Sequence, residues 1–332
     1  MIHVLGTPGP VGGANTELWH TIKLWRQAGW RVTVTPTWRI EPAAAVALLR
    51  TGCILREASP GRVRVADSDT AVGFCNECFL REIGRLRPHT RAVWVPCMNY
   101  MTDAERRLLD AAGPLDGYVF QSRYQRGVWR RLLAPWDVPA AAMHRIPGAL
   151  DPSEFRFAVR PREPSRLVVG RISRADPRKY SEHTWRILEP LPDRHARLMA
   201  VGSAVRHRLG PAPPWAELLE KNAEPAETFL HSLDLLVHAG GEAVENWPRF
   251  VLEAFACGTP VVTEFRGGVP EMIDHGETGF LAEDESELTA FALLLARDEP
   301  LRQRIARNAR ASLRRLADPE TILEGWRKLV ES

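Results

Sequence analysis

The sequence predicts an α/β protein built from two Rossmann-like, doubly wound halves facing each other across a cleft. Three observations lead there. Short apolar runs alternate with amphipathic helical patterns, the rhythm breaks near residue 150 and restarts, and 332 residues suffice for two buried cores.

The first half opens with a strand, "IHVLG" (2–6), and a Pro/Gly-rich loop, "TPGPVGGA". A helix is expected from Asn15, a good N-cap, with Leu18, Ile22 and Trp25 on one face, ending at Gly29. "RVTVTP" follows as a strand. "TAVGFC", "RAVWVP" and "GYVFQS" are later strands, with helices from about Glu77, Thr102 and Ser122. The segment "HRIPGALDPSEFRFAVRPREPS" (144–165) is rich in Pro and Arg and lacks periodicity, so it marks the boundary.

Beyond it "RLVVG", "RLMAVG", "LDLLVHA" and "TPVVTEF" are strands. A helix over "PRFVLEAFAC" is stopped by Gly258 and Pro260, with Pro248 in its first turn and Asn246 or Trp247 as cap. Gly267 and Gly268 precede another short helix near Pro270 and Glu271, and "HGETGFL" turns into a short strand. Two helical stretches, 288–316 and 319–332, close the chain. The expected domains are 1–150 and 151–318, the first binding the acceptor and the second the donor. The last helix, 319–332, is expected to return to the first domain. Parallel sheets of this kind bind ligands at the carboxyl ends of their strands.

Composition narrows the function. With 45% hydrophobic and 26% charged residues and no apolar run of bilayer length, the chain is globular. No basic segment leads into an apolar one at the N-terminus, and the five cysteines do not suggest a disulfide framework, so a cytoplasmic setting is expected. Residues 1–150 carry 19 Lys+Arg against 12 Asp+Glu, and the remainder 25 against 29. A basic first half and an acidic second half imply different partners, with ordinary solvated charge as the competing explanation.

Four stretches carry candidate chemistry. Gly12 and Gly13, before a helix N-terminus, allow close backbone approach to an anion, although the loop does not fit G-x-G-x-x-G and no acidic residue ends the next strand. "VVGRISRADPRKYSEHTW" puts Arg171 at a strand end and Arg174, Arg178 and Lys179 just after it, where cations can hold an anionic ligand; a solvated basic loop is the alternative. In "ENWPRFVLEAFACGTPVV" the carboxylates of Glu245 and Glu253 stand in apolar company and need a partner. Vicinal hydroxyls of a ligand would serve, and so would an i,i+4 salt bridge from Arg249 to Glu253, in the weaker orientation. "CNEC" (75–78) is a lone CxxC, better read as two packed cysteines than as a zinc site.

On these motifs the chain resembles the GT-B glycosyltransferases, most closely the family 4 group of retaining enzymes that use nucleotide sugars. The "GG" loop, "HRIPGALDPSEF", "VGRIS…K", the pair Glu245/Glu253, "LEAFACGTPVV" and "GGVPEMIDHGETGFL" occur in that group's order over nearly the whole chain. The resemblance implies that Glu253 holds the donor ribose and Glu245 the hydroxyls of the transferred sugar. Arg171 and Lys179 would neutralise the diphosphate, aided by Gly13 and the backbone at Phe250 and Val251. Catalysis would then rest on Glu245, Arg171 and Lys179, with donor contacts extending to Gly12, Arg174, Asn246 and Trp247.

It also implies retention and a UDP- or GDP-sugar as co-substrate. No cofactor or metal is expected, since an Arg/Lys pair and a helix N-terminus can stabilise the leaving diphosphate and no tight His/Asp/Glu cluster stands out in the sequence. Trp247 and Pro248 stand where the family commonly has Phe-Gly, and Pro248 has no N–H to offer. The interval from Arg171 to Lys179 is longer than usual, which leaves Arg174 or Arg178 as substitutes for Lys179. No histidine follows the mid-domain strand of the first half, so Asn76, Glu77, Asn99 and Tyr100 are the acceptor-side candidates.

The acceptor is left among three classes: a glycan or lipid, a small molecule, and a modified pyrimidine in DNA. The basic helix 122–136, with Tyr124, Trp129 and Trp136, suits a peripheral membrane or nucleic-acid contact, or packs its aromatics inward. A nucleotide-sugar epimerase and a non-catalytic nucleotide-sugar-binding protein are the competing functions. Paired-carboxylate hydrolysis leaves the basic loop unexplained. No motif speaks to oligomeric state.

Overall fold

The computed structural model describes residues 1–9, 12–56, 65, 69–75, 77–86, 90–159, 161, 163 and 165–331. The chain forms two compact units, Met1–Asp151 with Ala317–Ser332, and Pro152–Leu316.

The first unit runs β1 (Ile2–Leu5), α1 (Gly13–Gln27), β2 (Val32–Thr35), α2 (Pro42–Arg50), β3 (Ile54–Leu55), β4 (Thr70–Phe74), α3 (Glu77–Leu86), β5 (Arg91–Val95), α4 (Asp103–Ala112), β6 (Gly117–Phe120), α5 (Arg123–Leu132) and β7 (Met143–Arg145). Its sheet has the order β3-β2-β1-β4-β5-β6-β7, all parallel. The central strands bury both faces, which is why β4 and β5 read as largely apolar runs. One face packs Leu18, Ile22 and Trp25 of α1; the other packs Phe79, Ile83, Leu109 and Trp129.

The second unit runs β8 (Leu167–Ile172), α6 (Thr184–Leu188), β9 (Arg194–Met199), α7 (Ser203–Leu209), β10 (Ala216–Leu218), α8 (Ala226–His231), β11 (Leu235–His238), α9 (Arg249–Cys257), β12 (Val261–Glu264), β13 (Phe280–Ala282), α10 (Glu285–Arg297) and α11 (Glu299–Leu316). The sheet order is β10-β9-β8-β11-β12-β13, again parallel. The final helix, α12 (Pro319–Val330), belongs to the first unit, where Ile322, Trp326 and Leu329 join the α1 side of the core and Trp326 meets Trp25 edge-on at 4.8 Å.

Several local expectations are corrected. Helix α1 begins at Gly13, with Gly12 at the cap position and no side-chain cap, so Asn15 lies inside the first turn. Pro248 is the residue before α9, one position earlier than expected, and Asn246 Oδ1 accepts from Trp247 N at 2.8 Å without capping the helix. The expected helix at 270 is a single 3-10 turn, Val269–Glu271. The stretch 288–316 is two helices, because Asp298 turns extended after α10 and its Oδ1 accepts from Leu301 N at the start of α11. His144 and Arg145, assigned to the aperiodic boundary, form part of β7. Among the described residues no helix is long and apolar enough to cross a membrane.

Candidate functional site

The second unit gathers the charged candidates at the carboxyl ends of three neighbouring strands. Arg171 is the penultimate residue of β8, His238 ends β11 and Glu264 ends β12. The loops that follow are held against one another by close backbone contacts. A Cβ on Gly241 would lie 2.5 Å from the carbonyl oxygen of Arg178, and one on Gly267, at φ +65°, would lie 2.2 Å from that of Glu245. Only glycine allows either approach. Ala243 N donates to Arg178 O at 2.9 Å, Gly268 N to Glu245 O at 2.9 Å, and Arg266 to the carbonyls of Gly241 and Glu242 at 2.7 and 3.1 Å.

This docking brings Lys179 to Glu245, Nζ to Oε1 at 2.5 Å, with both side chains partly exposed. Arg178 instead turns back on Asp176, which caps the 3-10 turn Pro177–Lys179, and Arg174 is exposed. Of the three cations named after Arg171, Lys179 is placed in direct contact with Glu245.

Arg171 is 1% exposed, deeper than the open strand tip that the sequence suggested. Its guanidinium lies 3.7 Å from the centre of the Tyr180 ring, donates to the carbonyl of Lys179, and has Nη2 3.5 Å from His238 Nε2. Nε and Nη1 are buried without a hydrogen-bond partner among the described residues. Burial lowers the Arg171 pKa, opposed by Tyr180, Glu245 and Glu264. Burial, then the charges of Arg171 and Lys179, hold His238 well below the usual histidine range, so its ring is neutral and can accept from Arg171. The imidazole is also stacked on Phe250, with centroids 4.2 Å apart.

All nine residues of α9 are buried, which explains the apolar company of Glu253. Glu253 is 9% exposed, and Arg249 Nε stands 3.6 Å from its Oε1, so the i,i+4 pairing weighed against a ligand role is present. Burial raises the Glu253 pKa and Arg249 opposes it. Of the two backbone groups named for donor contact, Val251 N already donates to Pro248 O at 3.2 Å. Trp247 is buried, as is Phe250.

Sequence reasoning passed over His238, Tyr180 and Glu264. Glu264 Oε1 accepts from Gly240 N at 3.1 Å, and burial raises its pKa against the pull of Arg266. A polar residue closing an otherwise apolar strand was the available signal for both His238 and Glu264.

The remaining candidates lie in the first unit. Gly12 caps and Gly13 begins α1 after β1, Glu77 begins α3 after β4, and Asn99 and Tyr100 follow β5. These are the carboxyl ends of three adjacent strands. Glu77 and Tyr100 are exposed and Asn99 is half-buried, whereas Asn76 lies outside the described residues. None of the five cysteines is in a disulfide, and Cys75 is exposed rather than packed. Among the described residues no group of three or more His, Cys, Asp or Glu side chains is placed to hold a metal. Of the aromatics in the basic stretch, Trp129 of α5 is buried and donates to Met98 O at 2.7 Å, Trp136 is half-buried and Tyr124 is exposed, as are Arg123, Arg126, Arg130 and Arg131.

Comparison with known proteins adds three findings. Residues 218–312 match the family described as glycosyl transferases group 1, a stretch that contains Glu245, Glu253 and Glu264. Among curated proteins, the N-acetyl-alpha-D-glucosaminyl L-malate synthase of Bacillus anthracis is 39% identical over 21% of this chain and 19% of its own length. The GDP-mannose-dependent alpha-(1-6)-phosphatidylinositol monomannoside mannosyltransferase of Mycolicibacterium smegmatis is 28% identical over 49% of this chain and 48% of its own. The matches thus span at most about half the length of these two relatives. Among solved structures, Anabaena HepE in complex with UDP and glucose superposes over 100% of both chains with a TM-score of 0.77 at 17% identity. Two parallel-sheet α/β units and this likeness make the fold a two-domain, Rossmann-like GT-B fold.

Proposed function

We propose that this protein is a glycosyltransferase that moves a hexosyl group from a nucleotide-diphosphate sugar to an acceptor hydroxyl, with retention and without a metal. The observation that carries the reading is the contact of Lys179 with Glu245 above the buried Arg171. It joins a cation suited to a diphosphate with a carboxylate suited to sugar hydroxyls, in one small region of the second unit.

Departure of the leaving group develops negative charge on the diphosphate. Lys179 at the surface and Arg171 beneath it stabilise that charge in a low-dielectric setting, where such interactions are strongest. Glu245 accepts hydrogen bonds from the sugar. Glu253 accepts from the ribose while keeping Arg249, since a carboxylate has several acceptor positions. HepE binds UDP and the Mycolicibacterium smegmatis relative is GDP-mannose-dependent, which supports a donor whose base is uracil or guanine. The first unit takes the acceptor, with Glu77, Asn99 and Tyr100 as its candidate contacts, from the glycan or lipid, small-molecule or modified-pyrimidine classes.

The test is a panel of UDP- and GDP-sugars with product analysis and thermal shift. Lys179→Ala and Glu245→Gln each reduce turnover by about 100-fold or more with little change in melting temperature. Unchanged turnover in both variants refutes the assignment. Conversion of the donor to an isomer with no acceptor present assigns epimerisation instead.

A further inference from the structure

Helix α2, "PAAAVALLR", is apolar on two sides. Ala44 and Leu48 are buried, yet Pro42, Ala43, Val46, Leu49 and Arg50 are exposed, Val46 at 49% and Leu49 at 53%. Positions 42, 43, 46, 49 and 50 form one helical stripe, and the outward stripe of a helix on a water-facing domain ordinarily carries polar residues. The flanks continue the pattern. Trp38, four residues before the helix, is 73% exposed, and Ile54 on the edge strand β3 is exposed as well. Scattered exposed apolar residues need no explanation, but here four large ones fall within a single short segment.

The charges of the same segment are one-sided. Arg31, Arg39, Arg50 and Arg56 are exposed, and Glu41 is the only acid between residues 31 and 56. We propose that the α2–β3 edge of the first unit is an interfacial membrane surface that rests on an anionic lipid bilayer. Trp38, Val46 and Leu49 enter the boundary between headgroups and acyl chains, and the arginines pair with lipid phosphates.

The charge pattern selects this occupant. A second copy pairing through the same face would bring arginines against arginines. A nucleic acid would satisfy the arginines and leave the apolar stripe without a partner. Anionic lipid answers both features. The basic helix α5 is the weaker candidate, because its largest aromatic, Trp129, is buried. The proposal does not depend on the transferase reading, since its test measures binding alone.

The test is co-sedimentation of the full chain with vesicles of phosphatidylcholine, and of phosphatidylcholine mixed with an equal part of phosphatidylglycerol. The chain binds the mixed vesicles and not the neutral ones. The double variant Val46→Asp/Leu49→Asp loses at least about tenfold in affinity with its melting temperature unchanged. Trp38→Ala, which lies outside any helix or strand, is the second variant and also weakens binding. Arg126→Glu/Arg130→Glu on α5 leaves binding within twofold of wild type. Failure of the wild-type chain to bind, equal binding to both vesicle types, or undiminished binding by Trp38→Ala and the α5-intact double variant overturns the proposal. So does a dimer in sedimentation velocity that the Val46→Asp/Leu49→Asp variant dissolves.

Discussion

Glu264 and Arg171 illustrate how the site holds charge with little solvent. Arg171 is buried to 1% exposure under Tyr180, and Glu264, two strands away, is half-buried, its pKa raised by its own burial. A carboxyl whose folded pKa exceeds its unfolded value binds protons more tightly when folded. Its contribution to stability is therefore present at low pH and is lost as pH rises from the ordinary carboxylate range through the raised value. Glu264→Gln keeps an oxygen for Gly240 N and removes the buried charge. The variant should gain melting temperature relative to wild type at pH 7.5 and gain nothing at pH 4, as measured by scanning calorimetry. A difference that is flat with pH counts against the burial account.

At this scale, the carboxylates of Glu245 and Glu253 were legible because charge in apolar company asks for a partner. Which partner was not legible. The i,i+4 spacing offered Arg249 to Glu253, and only the contact at 3.6 Å shows that the protein itself takes that option. Lys179 as the partner of Glu245 was equally hidden, since it depends on Gly241 and Gly267 letting two loops touch.

At the scale of elements, helix positions followed from caps that the sequence displays. Thr102 and Glu105 form a complete capping box at α4, and Ser122 caps α5. Helix α1 was misplaced because its cap is Gly12, whose signal is weaker than that of Asn15. Short edge strands such as β3 and β10 escaped notice because two or three residues carry no usable alternation. Helix α12 shows an amphipathic face in sequence, and the structure gives that face a destination. Trp326 is 2% exposed, edge-on to Trp25 and stacked near Phe74 in the first unit's core. Trp326→Ala should destabilise that unit by about 3–5 kcal/mol, read as a lower urea midpoint with little change in slope. A loss below about 1 kcal/mol would mean that α12 packs more loosely than its buried residues indicate.

At the scale of the whole molecule, the two units differ in continuity. Residues 152–316 form an unbroken segment that contains every strand of its own six-stranded sheet and its own core. The first unit is discontinuous, because residues 1–151 need Ile322, Leu323, Trp326 and Leu329 from the chain's far end. A segment with a complete core can fold alone, so 152–316 expressed by itself should unfold cooperatively and keep its near-UV circular dichroism. Residues 1–151 alone should be less stable than the first unit of the Trp326→Ala chain, since four buried side chains are missing instead of one. Supplying residues 317–332 as a peptide should restore part of that loss. Arg171, Lys179, Glu245 and Glu253 all lie within 152–316, so the isolated segment is also expected to retain measurable binding of UDP or GDP by titration calorimetry. A well-folded segment with no such binding would count against donor recognition by these residues alone.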